Sequence, residues 1–334
     1  MNTELVQFIR ETVRNRGPQS LAWFMEQALY HPKHGYYSSG RAVIGRKGDY
    51  FTNVSVGPLF GQLMAAQFLE IWERLGKIDN FTIVEQGAHD GQFARDVLTE
   101  LRVMSPEFFS ALRYRIIEPF PVLQDRQSQT LESFRDKVEW GALERFSGVH
   151  FSNELLDAMP ANLRGKFVDL QGENFIFVEG ETTPSRAVFD WVDNIAANLE
   201  RGFVIAIDYG FPRDEFRELL QVRAQHRLLD SPFEQIGEAD ITLHVNWTEI
   251  AERAEANRLQ VAGFTDQHHF LTGIIATFPE IVEEDKSKRA LQTLLHPEML
   301  GRAFQVLALN KDVDPTGPLS GFKFARDPRK TLGL

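Results

Sequence analysis

The sequence predicts an α/β fold with a mostly parallel sheet of seven strands and helices on both faces. Three observations carry this. Between residues 81 and 211, short apolar β-runs alternate with amphipathic helical stretches. The first run, "FTIVEQG", breaks into a glycine-bearing turn that opens a helix. Two further strand-like runs, "QVAGFTDQHHFL" and "GRAFQVLALNK", follow the fifth strand and close the sheet.

In chain order, Leu5, Phe8, Ile9 and Val13 fall at helical spacing over Thr3–Arg16, and "RGP" stops that helix. "SLAWFMEQALYHP" repeats the pattern, with Ser20 as N-cap and His31-Pro32 as the stop. A Gly- and Tyr-rich stretch, "KHGYYSSGRAVIGRKGDYFTNVSVG", is long for an unstructured connection, and loops of that length are usually functional. Pro58 to Leu75 reads as a helix with Phe60, Leu63, Met64, Phe68, Ile71 and Trp72 inward. The alternation then runs "FTIVEQG", helix "GQFARDVLTELRVM", "YRIIEPF", helix "PVLQDRQSQTLESF", "VEWG", "GVHFSNELLDAMP" and "GFVIAIDYGF". "NWTEIAERAEANRL" is a later helix.

Two intervals break the rhythm. Lys166–Glu181 alternates with period two around Gly172-Glu173-Asn174 and reads as a β-hairpin. Phe211–Val245 is polar, charged and mostly aperiodic. Both are read as insertions over the ends of the sheet. The organisation expected is an N-terminal helical segment and lid over residues 1–47 and a catalytic core over 48–334. Insertions fall at about 160–190, a hairpin, and 211–245, a substrate-side helical or loop lobe. No internal repeat and no Pro- or Ser-rich linker divides the chain.

Bulk properties narrow the function. A net charge of −11 disfavours a broad nucleic-acid contact or a basic membrane-docking face. The absence of cysteine removes thiolate metal sites, disulfides and cysteine nucleophiles, and it fits a reducing compartment. No run approaches the roughly 18 apolar residues of a spanning helix. The N-terminus has no apolar signal core, and Glu4 and Glu11 argue against an acid-poor transit peptide. A cytoplasmic protein is expected, with neither nucleic acid nor membrane as partner. Oligomeric state is not legible; a homodimer is one open alternative.

The turn after the first strand limits the cofactor. A dinucleotide loop wants G-x-G-x-x-G, and counting from Gly87 the second and third glycine places hold His89 and Gln92. A Walker loop needs Gly-Lys-Ser/Thr, and Asp90-Gly91-Gln92 supplies no lysine. What remains is an acidic residue and G-x-x-x-G: Glu85, Gly87, Gly91. S-adenosylmethionine (SAM) suits it, because SAM has no phosphate and carries an ammonium and a sulfonium that favour carboxylates. Gly87 and Ala88 let the backbone pass close, and helix amides near Gly91 face the cofactor's carboxylate. Glu118, at the end of the next strand, would accept from the two ribose hydroxyls. A strand–Gly–helix turn with a solvated glutamate is the plain alternative.

Further segments occur in a telling order: "FMEQALYHPKHGYY", "GDYFTNVSVGPLFG", "SNELLDAMP", "AIDYG", "EADITLHVNW" and "LHPEMLGRAFQVLALNK". Together they resemble the MidA family of SAM-dependent methyltransferases, over nearly the whole chain. That family includes the mitochondrial enzyme that methylates an arginine of a respiratory complex I subunit. The resemblance implies a class I methyltransferase fold, Rossmann-like, with the last strand antiparallel. It places the family's SAM loop on Glu85–Gly91, its acidic ribose ligand on Glu118, its "GDF-x-T-S-P-E" segment on Gly48–Ser55 and its "E-F/L-x-D-A-x-P" loop on Glu154–Pro160. The chain departs from the family at His89, in place of the loop's central glycine, and at Val54 and Ser55, in place of Pro and Glu. "FRELLQVRAQHRLLD" stands where the family has an Arg-Gly-Thr-Leu stretch.

The candidate catalytic residues are Asn153, Glu154 and Asp157 on "FSNELLDAMP". Glu154 would hold a cationic or N–H acceptor and help remove its proton, and Asp157 would orient it. The plain alternative is a capped turn, with Asn153 as N-cap and Asp157 near the start of a short helix. Asp49 and Thr52 would close over the methionine end of SAM; an Asx-turn is the alternative for Asp49. Asp208-Tyr209-Gly210 sits at the sheet's carboxyl edge, and Trp23, Phe24, Tyr36 and Tyr37 could line an acceptor entrance or simply pack. His268-His269, with His244 and Asp240, suggests a metal, but neighbours on a strand point apart, so no metal is expected. The reading is a SAM-dependent methyltransferase acting on a protein side chain, with arginine nitrogen the first candidate. A SAM-binding assembly factor or chaperone with little catalysis is the alternative, and an NAD-dependent dehydrogenase a third.

Overall fold

Seven strands form the central sheet: β1 (Phe81–Gln86), β2 (Leu112–Ile117), β3 (Val138–Trp140), β4 (Phe146–Asn153), β5 (Leu199–Phe211), β6 (Gln260–Asp266) and β7 (Phe304–Lys311). The computed structural model describes residues 3–42, 52–181, 186–225, 227–282, 288–314 and 317–334. The chain forms two units. One comprises Asn53–Leu155, Trp191–Phe216 and Val245–Leu334; the other comprises Met1–Thr52, Leu156–Asp190 and Arg217–His244.

The first unit carries the sheet. Its strand order is β6-β7-β5-β4-β1-β2-β3, with the two-residue strand Val245–Asn246 added parallel to the end of β5. The pairs β1–β2, β1–β4, β2–β3 and β4–β5 are parallel, while β7 runs antiparallel to both β5 and β6. The order reverses at β1, whose neighbours are β2 on one side and β4 on the other. In open α/β sheets that switch point, at the carboxyl ends of the strands, is where ligands bind. The carboxyl ends of β1, β2, β4 and β5 are where the candidate residues were read.

β1 is buried on both faces, with Phe81, Ile83 and Val84 fully inside and Thr82 and Glu85 buried beside them. On one face, Phe151 of β4 stacks on Phe93 of the helix Gln92–Met104, with ring centroids 4.4 Å apart. Phe60 and Phe68 of the helix Leu59–Arg74 close around the same ring. A fully buried Phe stabilises by about 1.5–3 kcal/mol, so these four rings fix both helices to the sheet beside the turn after β1. His150, one residue before Phe151, points to the opposite face and meets Trp191 of the helix Ala187–Asn198 edge-on at 5.5 Å. Helices therefore cover both faces.

The second unit has its own core. The helices Thr3–Arg16 and Leu21–Tyr30 bury Leu5, Ile9, Val13, Phe24 and Leu29. Ser20 caps the second helix, its hydroxyl accepting from Trp23 N at 3.1 Å. The hairpin forms as read: Lys166–Gln171 pairs antiparallel with Asn174–Glu179, and Gln19–Ser20 adds a third strand. Of Trp23, Phe24, Tyr36 and Tyr37, two are core residues. Tyr36 and Phe24 are buried, and Phe24 lies edge-on to Phe233 at 5.4 Å.

Three expectations are corrected. Residues 211–245 are not an aperiodic lobe, because Leu220–Ala224 pairs antiparallel with Asp240–Leu243 and Arg227–Leu228. Strands this short show too few alternations for a period to register. His268 and His269 lie on the helix Gln267–Ile275, not on a strand; Asp266 caps it, accepting from His269 N at 2.9 Å. Phe8, read as part of the first helix's apolar face, is exposed.

Candidate active site

The turn after β1 is left-handed at alternate residues, with φ of +89° at Gly87, +46° at His89 and +79° at Gly91. A side chain at Gly91 would stand 3.3 Å from the Gln127 backbone, so glycine there lets the helix Pro121–Thr130 approach the turn. The turn closes through Gly91 N to Ala88 O at 2.8 Å. Asp90 then accepts from Gln92 N at 3.1 Å, supplying the start of the helix Gln92–Met104 with the cap that glycine lacks.

Glu85, at the end of β1, is buried, and the Tyr114 hydroxyl of β2 donates to its Oε2 at 2.7 Å. Burial pushes its carboxyl up to about 8. Glu118 follows β2 directly and is buried as well. Its Oε1 accepts from Phe120 N at 3.0 Å and its Oε2 from Gln127 Nε2 at 3.1 Å. Burial raises its pKa, with both hydrogen bonds and His89 pulling the other way. The Gln127 amide also donates to the His89 carbonyl at 2.9 Å. The structure thus joins the β1 turn to Glu118 through a residue that sequence reasoning missed. A signal existed: Leu123, Gln127 and Leu131 share helical spacing, with one glutamine where an apolar residue is due.

At the end of β4 the chain turns sharply. Glu154 has φ of +53°, and its N–H donates to Ile207 O at 2.9 Å. The next N–H, of Leu155, donates to the buried Asp208 carboxylate at 3.0 Å. Glu154 Oε1 accepts from Asn153 Nδ2 at 2.8 Å and from Asn53 N at 3.2 Å. Asn53 donates in turn to Asn153 Oδ1 at 2.8 Å and accepts from Gln267 Nε2 at 2.8 Å. Asn153 is therefore no helix cap, since a turn and not a helix follows β4, and its amide serves Glu154 and Asn53 instead. Asn53 was not read from the sequence.

The remaining candidates are placed as follows. Asp157 and Thr52 are buried and belong to the other unit, where the Asp157 carbonyl accepts from Leu243 N at 2.8 Å. Asp49 lies outside the described residues. Tyr209 packs its ring 4.1 Å from that of Phe304. Asp240 accepts from the Tyr37 hydroxyl at 2.7 Å, and His269 Nδ1 pairs with Asp266 at 2.7 Å. Among the described residues no three His, Asp or Glu side chains gather as metal ligands would.

A family model of S-adenosyl-L-methionine-dependent methyltransferases matches residues 63–166 and 168–265, more than half of the chain. The protein arginine methyltransferase NDUFAF7 of Bos taurus mitochondria is 30% identical over 378 residues, 92% of this chain and 83% of its own length. The chain belongs to the MidA family of SAM-dependent methyltransferases. The human protein of the same name is 22% identical to this MidA-family chain over 396 residues, covering 98% and 87% of the two. A crystal structure from Burkholderia thailandensis, of a protein bound to S-adenosyl-homocysteine, superposes with a TM-score of 0.84 at 28% identity. The match covers 96% of this MidA-family chain and 94% of that one. At His89 the chain keeps a left-handed backbone, and Gln127 holds the carbonyl of that residue.

Proposed function

We propose that this methyltransferase moves the methyl group of SAM to a nitrogen of a protein side chain, with arginine the first candidate. The observation that carries the proposal is the Glu154 carboxylate, fixed at the end of β4 by Asn153 and the Asn53 N–H. Relatives bearing the name protein arginine methyltransferase, matched over more than four-fifths of their length, support the choice of acceptor. The nitrogen lone pair attacks the methyl carbon, the carbon–sulfur bond breaks, and S-adenosyl-homocysteine (SAH) leaves. A guanidinium must also lose a proton, and a fixed carboxylate both binds the cation and accepts that proton. Alignment of nitrogen, methyl and sulfur supplies most of the rest.

Glu85, Gly87, Ala88, Gly91 and Glu118 would hold SAM in this reading. A net charge of −11 favours encounter with a basic protein segment and not with nucleic acid or a membrane surface. The cysteine-free composition agrees with a cytoplasmic setting. Among the described residues no helix is long and apolar enough to cross a membrane.

One departure favours a second reading. Ser55 stands where the family has a glutamate, as it would in a SAM-binding assembly factor with little catalysis. Incubating the protein with methyl-labelled SAM and host lysate separates the two. Label in a protein band, mapped to arginine by mass spectrometry, is the expected result. Measured SAM binding without label in any protein would overturn the enzyme reading for those substrates.

A further inference from the structure

Gln127 is fully buried, yet every hydrogen-bonding group of its amide is used. Its Oε1 accepts from the Trp140 indole of β3 at 2.8 Å. Its Nε2 donates to the His89 carbonyl at 2.9 Å and to Glu118 Oε2 at 3.1 Å. These partners admit one orientation only. An indole N–H can only donate, and a carbonyl and an ionised carboxylate can only accept, so the amide cannot flip. Trp140 sets the amide, and the amide sets Glu118 and the β1 turn.

The same bonds leave Glu118 in a defined state. A carboxylate oxygen has two acceptor positions. Phe120 N takes one on Oε1 and Gln127 takes one on Oε2. One position remains on each oxygen, and two neighbouring acceptors match two vicinal hydroxyls.

We infer that Gln127 is a positioning residue of the cofactor site, holding the Glu118 carboxylate so that its free edge receives the ribose diol of SAM. The inference rests on Glu118 being the ribose ligand. It also accounts for His89. A non-glycine residue in the left-handed region carries a backbone cost of about 1–2 kcal/mol, and the Gln127 bond to its carbonyl offsets part of it and keeps the turn in register with Glu118. Gln127 is fully buried and its side chain bonds only to His89, Glu118 and Trp140, so its loss should act on ribose recognition through Glu118.

The test pairs deletion of the side chain with deletion of the ligand group. Calorimetry measures SAH and 2′-deoxy-SAH on the wild type, Gln127→Met and Glu118→Gln. The wild type should prefer SAH by roughly tenfold, the worth of a hydrogen bond to a charged group. Gln127→Met should weaken SAH by roughly tenfold and shrink the preference for the hydroxyl to about threefold or less, which is coupling between residue and hydroxyl. Equal weakening of both ligands, with the preference intact, would make Gln127 a packing residue and overturn the inference. A wild-type preference retained in Glu118→Gln would overturn it at its base, because Glu118 would then not be the ribose ligand. Should Gln127→Met fail to fold, Trp140→Phe removes only the donor that orients the amide. Its preference should fall while the melting temperature stays within a few degrees; an unchanged preference counts against the inference equally.

Discussion

The Tyr114 hydroxyl donates to the Glu85 carboxylate at 2.7 Å across the β1–β2 pair, two residues before the turn at Gly87. Burial wins over that bond and pushes Glu85 up to about 8. The unfolded chain releases this proton near its ordinary value of 4.5. The contribution of Glu85 to stability is therefore complete below pH 4.5 and is lost as pH rises toward 8. Glu85→Gln should remove that slope and be more stable than the wild type at pH 8 without ligand, by on the order of a few kcal/mol. Urea titrations of the two proteins between pH 5 and 8 check this; parallel profiles would show that Glu85 ionises as it does in the unfolded chain.

His150 has the opposite sign. It is fully buried on β4, neither ring nitrogen has a hydrogen-bond partner among the described residues, and burial lowers its pKa to about 3. In the unfolded chain it binds a proton near 6.5, so its contribution is complete above that pH and is lost as pH falls toward 3. His150→Leu keeps an apolar neighbour for Trp191 and removes two buried polar atoms. It should raise stability at pH 7 by about 1–3 kcal/mol and by more at pH 5. Thermal melts at the two pH values decide it, and a variant less stable at both would show that the imidazole is satisfied in the native protein.

How much of this was legible depends on the length over which a pattern repeats. The five strands and the two closing strands could be read because runs such as "FTIVEQ" are bounded by turns, and the helices after the first two strands by their apolar spacing, whereas the helix Ala187–Asn198 before β5 was not read. The three short strands between Leu220 and Leu243 could not, because each offers at most two or three alternations. His268 and His269 were misplaced because β6 passes straight into a helix, and the capping role of Asp266 was not recognised. At the candidate site, Gly87, Gly91 and Glu118 stand out by chemistry and spacing. Gln127 and Asn53 do not, since Gln127 works by joining His89, Glu118 and Trp140 from three other parts of the chain, and Asn53 through residues 100 or more positions away. Sequence adjacency also grouped Glu154 with Asp157, which fall in different units.

Gly87 is held at φ of +89°, where any residue with a Cβ is strained. The nearest atoms to an added Cβ belong to Leu155 at 3.4 Å, an ordinary contact, so Gly87→Ala should cost about 1–2 kcal/mol through backbone strain and not through a clash. Gly172, at φ of +65° in the hairpin with open space around it, is the matched control. Gly172→Ala should show similar strain and unchanged SAH affinity. Gly87→Val should weaken SAH by about a hundredfold or more, close to 3 kcal/mol. Equal affinities in the two variants would mean that the turn after β1 does not touch the cofactor.

Glu154 offers the sharpest separation of binding from chemistry. Its carboxylate receives Asn153 Nδ2 and Asn53 N on a single oxygen. Glutamine keeps an acceptor oxygen at that position, so Glu154→Gln retains both bonds and the turn at φ of +53°. Cofactor affinity should then stay within about twofold. The rate of transfer should fall by about a hundredfold to ten-thousandfold, the range for a lost general base, because the amide neither accepts a proton nor attracts a guanidinium. Asn153→Leu acts differently, withdrawing one of the two donors but leaving the carboxylate charged. A smaller loss of rate follows, because the carboxylate still attracts the cation and accepts its proton. Single-turnover transfer to the labelled acceptor, followed across pH for wild type and both variants, measures all of this. Full activity in Glu154→Gln would leave the carboxylate as a holder of the β4 turn and move the proton's destination elsewhere.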